Sequence, residues 1–204
     1  MKRPTLIWDL DGTLLDSYGA ILEGIEETYE QFGIPFEQEE VREFILRYSV
    51  QELLVRDAAI HGLDSDQLNR VRSVSLREKQ TAISLMKGAR EIVSWAKEQG
   101  IQQFVYTHKS DHAFAVLTDL GMTSYFTEIV TSDAGFARKP APDALLYLIN
   151  THKLDRKQTY YVGDRLLDVE AALADGIGSI NLQIDGVAGN QKIDTLEEIQ
   201  EIVG

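Results

Sequence analysis

The residues of this chain with the clearest chemical potential are two aspartates, Asp9 and Asp11, which stand one residue apart and precede Gly12 and Thr13. They follow a short apolar run, residues 6–8, of the kind that forms a buried strand. Two carboxylates this close repel each other unless a cation or a proton neutralises them. The pair therefore suits a site in which one aspartate attacks an electrophile while the other transfers a proton.

The segments that must position these aspartates alternate between short apolar strands and amphipathic helices. The pattern predicts five strands, at residues 5–8, 103–106, 128–131, 159–162 and 179–182. It predicts helices at residues 89–99, 111–120, 142–150 and 166–175. Ser110 is expected to cap the second of these helices. Alternation of this kind indicates an α/β fold with a parallel sheet and helices on both faces.

One interval interrupts the alternation, because residues 17–81 show helical patterns and no strand. Its clearest helix carries an apolar stripe from Tyr18 to Phe32 and ends at Gly33. Shorter amphipathic segments follow at residues 37–45, 50–60 and 65–80. The simplest interpretation is a small helical domain, residues 16–81, inserted into a core domain of residues 1–15 and 82–204. The insert is acidic, with 14 acidic and 7 basic residues.

Composition narrows the function classes further. The formal net charge of −13 argues against nucleic acid or an anionic membrane surface as a partner. The 204 residues include no cysteine, which excludes disulfides, thiolate catalysis and cysteine-ligated zinc. The apolar run near the N-terminus is too short for a signal peptide, and no stretch reaches membrane-spanning length. We therefore expect a soluble cytoplasmic protein.

Polar residues that follow the predicted strands are expected to meet at one edge of the sheet, where open α/β sheets bind their ligands. The chemically useful members of this set are Asp9, Asp11, Thr13, Thr107, His108, Lys139, Asp164 and Asp168. Four aspartates together require a cation, and an all-oxygen ligand set suits Mg²⁺ better than zinc. The lysine adds a point charge that could neutralise an anionic group of a substrate.

These residues, in this order, resemble the four motifs of the haloacid dehalogenase superfamily. The Asp-x-Asp-Gly-Thr motif corresponds to residues 9–13, the strand-end hydroxyl to Thr107, the lysine to Lys139, and Gly-Asp-x-x-x-Asp to residues 163–168. The helical insert is similar to the cap of the phosphoglycolate phosphatase and β-phosphoglucomutase-like branch. The resemblance implies a Rossmann-like, five-stranded parallel core with an inserted α-helical cap.

The resemblance also implies a reaction, namely Mg²⁺-dependent hydrolysis of a phosphate ester through an aspartyl phosphate. Asp9 would be the nucleophile and a metal ligand, and Asp164 a further ligand. Asp11 would bind the metal through its carbonyl and act as the general acid and base. The implied substrate is a small phosphorylated metabolite. The resemblance leaves the oligomeric state open between monomer and dimer.

The remaining motif residues are implied to hold the phosphoryl group. Thr107 and Lys139 would bind its oxygens. Asp168 would orient Lys139 or a metal-bound water without itself contacting the phosphoryl group. His108, where family members often carry Asn, is assigned to the substrate side. Arg47 is similar in position to the specificity loop of the cap and is assigned to substrate binding.

The chain departs from the family pattern at His108 and at Arg165, and several alternative functions stay open. Arg165 stands where the family often has a small residue. His108 and His112 are spaced as a metal pair but lack a third ligand nearby, which favours surface histidines. A β-phosphoglucomutase-like phosphomutase and a catalytically silent phosphate-binding protein stay open. A dehalogenase is disfavoured because such an enzyme needs no acid at position 11, whereas this chain has Asp11 there. A receiver domain is disfavoured because receiver domains have no helical insert after the first strand, whereas this chain has one.

Overall fold

The computed structural model of the protein describes residues 3–204. These residues divide into two compact units. The sheet unit contains the described residues up to Asp16 together with Ser84–Gly204, and the helical unit is Ser17–Ile83. Within the described part of the chain, no helix combines the length and apolar character needed to cross a bilayer.

The sheet unit is built on a six-stranded parallel sheet. The strands of the described chain are β1 (Thr5–Trp8), β2 (Leu15–Asp16), β3 (Ser84–Leu85), β4 (Gln102–Tyr106), β5 (Glu128–Val130), β6 (Thr159–Gly163), β7 (Gly178–Asn181) and β8 (Asn190–Lys192). The large sheet has the order β5-β4-β1-β6-β7-β8, and β2 pairs with β3 in a separate antiparallel ribbon. The predicted α/β class with a parallel sheet is thereby confirmed.

The predicted number of five strands is wrong, because β8 adds a sixth strand at the edge of the sheet. Its residues are polar and only partly covered, so they carry none of the apolar pattern that reveals a buried strand. Pairing with β7 holds the strand in place, and the Ser179 hydroxyl donates to Asn190 Oδ1 at 2.8 Å. Edge strands need only one neighbour, and polar edges resist unwanted pairing with other chains.

The helices of the described chain are divided between the two units. They are α1 (Tyr18–Phe32), α2 (Gln38–Arg47), α3 (Val50–His61), α4 (Ser65–Glu78), α5 (Ala89–Glu98), α6 (His112–Asp119), α7 (Asp143–His152), α8 (Leu166–Ala174) and α9 (Ile199–Val203). The first four form the helical unit, and Gly33 ends α1 in the left-handed conformation. The predicted cap at Ser110 is wrong, because Asp111 occupies the position before α6 and makes no side-chain cap there.

Strand β1 lies at the centre of the sheet, between β4 and β6, and all four of its side chains are buried. Ile7 joins one apolar cluster that also contains residues of α7 and α8. On the opposite face, Trp8 donates to Gln103 Oε1, and Gln103 in turn donates to the Val93 carbonyl of α5. Helices therefore cover both faces, so the polar residues that follow β1 emerge at the carboxyl edge of a rigid, buried strand.

Candidate active site

The first pair of aspartates is placed by a tight turn at the end of β1. The Asp9 amide donates to the Val162 carbonyl at 2.9 Å, which extends the pairing of β1 with β6 by one residue. Gly12 follows with φ of 82°, a conformation that favours glycine, and donates to the Leu15 carbonyl at 2.8 Å. Asp9 is buried, whereas Asp11 is partly exposed. The turn thus presents two neighbouring carboxylates in different environments.

Lys139 lies at the centre of the site, with a fully buried side chain. Its Nζ donates to Asp9 Oδ1, Asp168 Oδ1 and the Tyr161 hydroxyl, each at 2.8 Å. We call these four residues the strand-end cluster. An ammonium group has three donors, and here each of them meets one acceptor. The lysine motif, the first motif and the fourth motif therefore converge on one atom.

Burial and neighbouring charges set the protonation of this cluster. Burial alone would lower the pKa of Lys139, but Asp168 and Asp9 outweigh that effect and raise it. Burial also raises the pKa of Asp9, against the opposing charge of Lys139. The pKa of Asp168 is lowered despite burial, because Lys139 and Arg165 stabilise its charge. The negative charge of Asp168 is therefore stabilised by its ion pair with Lys139. The negative charge of Asp9 is stabilised less, because burial raises the pKa of its carboxyl group.

The spacing of the fourth motif follows from the start of α8. Asp168 Oδ2 accepts the amides of Arg165 at 2.9 Å and Asp164 at 3.3 Å, so one carboxylate holds both a helix end and Lys139. A Cβ on Gly163 would lie 2.5 Å from Asp168 Cβ, closer than such atoms approach. Glycine is therefore required where β6 meets α8.

Three aspartates of the sheet unit form a group that could hold a metal ion. Asp9, Asp164 and Asp168 are buried and each offers an oxygen within 4.8 Å of the others. Asp9 Oδ2 is buried and has no hydrogen-bond partner among the described residues. A buried oxygen in this state is costly unless a ligand completes it. Because the donors are carboxylate oxygens, the group fits a hard divalent cation such as Mg²⁺.

The side chain of Asp11 takes a separate position. Its Oδ1 accepts from Lys109 Nζ at 2.8 Å, and the side chain of Lys109 is buried. The Lys109 amide donates to Thr107 Oγ1 at 3.1 Å, which links this pair to the strand-end hydroxyl. Sequence reasoning missed Lys109, although it stands two residues after Thr107. Considering every polar residue within three positions of the end of β4 would have found it.

His108 contacts the segment between β5 and α7, residues 131–142, which carries Lys139 and which we call the lysine loop. Its Nε2 accepts the Lys139 amide at 2.8 Å, and burial, together with the charges of Lys139 and Arg138, lowers its pKa far below the usual value. The ring is therefore neutral, with its proton on Nδ1. The prediction of a surface histidine at position 108 is wrong, because the chain after β4 turns the ring toward the lysine loop. Its assignment to substrate binding stays a prediction.

Two other residues act on the site: Tyr161, which lies outside the four motifs, and Arg165, which stands at an unspecified position of the fourth motif. Tyr161 lies in β6, and its hydroxyl donates to the Tyr106 carbonyl at 2.8 Å while accepting from Lys139. A tyrosine within an apolar strand has the sequence signature of a core residue, so no pattern separates it from its neighbours. Arg165, which precedes α8, lowers the pKa of Asp168 through its charge.

Arg47 belongs to the helical unit. It is the last residue of α2, is exposed, and places its guanidinium 5.3 Å from the centre of the Tyr48 ring. Its predicted contact with a substrate stays a prediction.

The chain is similar to known proteins over almost its whole length. Residues 6–182 match the family model described as haloacid dehalogenase-like hydrolase. A phosphoglycolate phosphatase of Pseudomonas fluorescens is 28% identical over 192 residues, covering 89% of this chain and 70% of that protein.

Two solved structures show the same fold. One, described as a predicted phosphoglycolate phosphatase from Haemophilus somnus, has a TM-score of 0.84 at 21% identity, covering 100% of this chain and 99% of the other. CbbY from Rhodobacter sphaeroides, solved in complex with phosphate, has a TM-score of 0.84 at 21% identity, with 97% and 96% covered.

The family model spans most of the chain and includes all four motifs. The predicted superfamily and hydrolase class are confirmed, and the names of the relatives agree with the predicted phosphatase branch. The chain therefore belongs to the haloacid dehalogenase-like hydrolase family.

Proposed function

We propose that the protein is a Mg²⁺-dependent phosphatase that hydrolyses a small phosphorylated metabolite through an aspartyl-phosphate intermediate. The observation that carries the proposal is the state of Asp9, whose Oδ1 is held by Lys139 while Oδ2 is buried and has no hydrogen-bond partner among the described residues. A carboxylate with one oxygen held by a hydrogen bond and the other without a partner can use the second oxygen to bind a ligand or to attack a substrate.

In the first step, an Asp9 oxygen would attack the phosphorus and the bond to the ester oxygen would break. Asp11 would give its proton to the departing alkoxide. In the second step, Asp11 would take a proton from water as that water attacks the aspartyl phosphate, which releases inorganic phosphate and regenerates Asp9. The hydrogen bond from Lys109 holds the Asp11 carboxylate at the end of the same turn.

The cation would be held by the carboxylates of Asp9 and Asp164 and by the Asp11 carbonyl. When bound, Mg²⁺ supplies positive charge that draws a phosphate dianion toward an otherwise acidic site. Both oxygens of Asp168 already accept hydrogen bonds, which supports a role in holding Lys139 rather than the metal. Lys139 would contribute charge beside the phosphoryl group, and Thr107 would bind a phosphoryl oxygen.

The helical unit is proposed to be the cap domain, with Arg47 as a residue that contacts the substrate. The relatives named phosphoglycolate phosphatase support a small phosphate monoester as substrate and make phosphoglycolate the first compound to test. A cap of this kind would exclude water from the first step and leave it access in the second.

The test measures inorganic phosphate released from p-nitrophenyl phosphate, phosphoglycolate and a panel of sugar phosphates. We expect release that requires Mg²⁺, stops with EDTA and returns when Mg²⁺ is restored. Mg²⁺ should also raise the melting temperature of the wild-type protein, a readout independent of turnover. Phosphate release that survives EDTA would contradict the metal assignment. Isomerisation of glucose 1-phosphate without phosphate release would instead identify a phosphomutase.

A further inference from the structure

The hydroxyl of Tyr161 has both of its hydrogen-bonding functions committed. It lies in the interior of β6 with 1% of its surface exposed. Its single proton is donated to the Tyr106 carbonyl at 2.8 Å, so it can only accept from Lys139 Nζ, which also lies at 2.8 Å. A carbonyl inside the sheet therefore orients the hydroxyl, and its lone pair faces the ammonium.

We propose that Tyr161 is a positioning residue that fixes the Lys139 ammonium between Asp9 and Asp168. The inference rests on the proposed function, in which Lys139 places charge beside the phosphoryl group.

The geometry explains why a third acceptor is needed. The three acceptors of Lys139 come from three different elements: the turn after β1, strand β6 and helix α8. With only the two carboxylates, the buried ammonium would keep an unsatisfied donor and could rotate about the long lysine side chain. Strand β6 pairs directly with β1, where Tyr161 lies opposite Ile7, so the hydroxyl is held in register with the turn that carries Asp9.

A neutral acceptor suits this position better than a charged one. Asp9 and Asp168 already outnumber the single charge of Lys139, and a third carboxylate would repel an arriving phosphate dianion. Burial, reinforced by Asp168 and Asp9, raises the pKa of Tyr161 well above its usual value, so the phenol stays neutral. It thus completes the coordination of the ammonium without adding negative charge.

The aromatic ring contributes separately from the hydroxyl. Lys139 Nζ lies 5.4 Å from the centre of the Tyr161 ring and 5.2 Å from that of Tyr106, and the two rings stack with centres 6.0 Å apart. Replacing Tyr161 by Phe keeps this ring and removes one oxygen. The substitution therefore isolates the hydrogen bond with little loss of packing.

The experiment compares Tyr161→Phe with Tyr160→Phe, a control at the preceding position of the same strand, whose side chain points to the opposite face. Steady-state hydrolysis of p-nitrophenyl phosphate with saturating Mg²⁺ gives kcat and KM. We expect Tyr161→Phe to lower kcat about tenfold with KM within about twofold of wild type. Tyr160→Phe should match the wild type. An equal kcat for Tyr161→Phe and wild type would overturn the inference.

A double-mutant cycle with Lys139→Met shows whether Tyr161 acts through the lysine. If it does, Tyr161→Phe lowers kcat no further once Lys139 is replaced. Reductions that multiply in the double variant would contradict the inference even if the single variant is slow. Thermal unfolding sets an assay temperature well below the melting point of every variant, so a purely structural loss is separated from a loss of positioning.

The same assay separates this inference from the proposed function. If the wild-type protein shows no Mg²⁺-dependent phosphate release on the whole panel, the proposed function fails. If the wild type is active, Asp9→Asn is inactive and Tyr161→Phe is fully active, only the role of Tyr161 fails.

Discussion

The two units of the molecule each contain a cluster with a buried carboxylate, a cation and a buried tyrosine, but the hydrogen bonds of the carboxylates are completed differently. In the helical unit, Asp57 accepts from Arg56 Nε at Oδ1, and from Arg56 and the Tyr29 hydroxyl at Oδ2. We call these three residues the helical cluster. Both oxygens of its carboxylate are satisfied by the protein. In the strand-end cluster, Asp9 has only Oδ1 satisfied among the described residues.

The tyrosines also have opposite roles. Tyr29 donates to a carboxylate, and burial together with this hydrogen bond raises its pKa, which keeps the proton in place. Tyr161 accepts a hydrogen bond from an ammonium and donates one to a carbonyl. The helical cluster is thus closed on itself, as expected of a group that links α1 to α3. The strand-end cluster fixes its cation and leaves a carboxylate oxygen for a ligand.

The contrast indicates that the helical cluster stabilises the fold, whereas the strand-end cluster serves the reaction. A buried polar atom without a partner costs about 1–3 kcal/mol, so a fold that only needed stability would satisfy Asp9 as it satisfies Asp57. Substitutions of the same type in the two clusters should therefore affect different measurements.

The largest difference is expected between Asp9→Asn and Asp57→Asn. Asparagine keeps the size of aspartate but is a poor nucleophile, so Asp9→Asn should lower phosphate release at least about 1,000-fold. Asp57→Asn should keep kcat within about twofold and destabilise the protein by about 1–3 kcal/mol, since an amide cannot accept all three hydrogen bonds. Enzyme assays and thermal unfolding measure the two effects. Substantial turnover by Asp9→Asn would show that Asp9 is not the nucleophile.

Removal of the cations should give the next largest contrast. Lys139→Met leaves Asp9 and Asp168 buried without their common partner, which should lower kcat about 100-fold or more and cost about 3–5 kcal/mol of stability. Arg56→Met should leave kcat nearly unchanged. It should cost less stability, about 1 kcal/mol, because 35% of the Arg56 side chain is exposed to solvent. Comparable kinetic losses in the two variants would mean that the clusters do not differ in function.

Tyr29→Phe tests the same contrast with the loss of one oxygen. It should lower the free energy of unfolding by about 1 kcal/mol and leave kcat and KM at wild-type values. For a protein of this size that corresponds to a melting temperature about 2–4 °C lower. A tenfold kinetic loss, as expected for Tyr161→Phe, would show that the helical cluster also contributes to turnover.

The sequence predicted the buried part of the fold well, and for a physical reason. Strands β1, β4 and β6 are covered on both faces, so most of their buried residues are apolar or aromatic, and polar residues mark where the strands end. Strand β8 is short and polar, and β2 and β3 have two residues each, so only pairing with their partners makes these segments strands. Tertiary pairing of this kind leaves no periodic pattern in the chain.

The same distinction applies to the site. Asp9, Lys139 and Asp168 could be placed together because each follows a strand, and the carboxyl ends of parallel strands share one edge. The contact of Lys109 with Asp11 joins the segments that follow β4 and β1, and the contacts of Tyr161 join side chains and backbone of different elements, so both depend on the tertiary structure. Their types and spacing match an ordinary loop lysine and an ordinary core tyrosine.

Among the substitutions in the sheet unit, the smallest kinetic loss is expected at His108, where positioning and substrate binding give different kinetics. Its Nε2 accepts the Lys139 amide at 2.8 Å, and Gln can place an uncharged oxygen at a similar reach, whereas Leu fills the space without an acceptor. If the ring holds the lysine loop, His108→Leu should lower kcat about three- to tenfold with KM little changed, and His108→Gln should stay within about twofold of wild type. Steady-state kinetics on the best substrate of the panel measures both variants. A raised KM in both variants with kcat preserved would instead support direct contact between His108 and the substrate. Both variants lose the imidazole, whereas only His108→Leu loses the hydrogen-bond acceptor, so a shared effect would come from the loss of the imidazole.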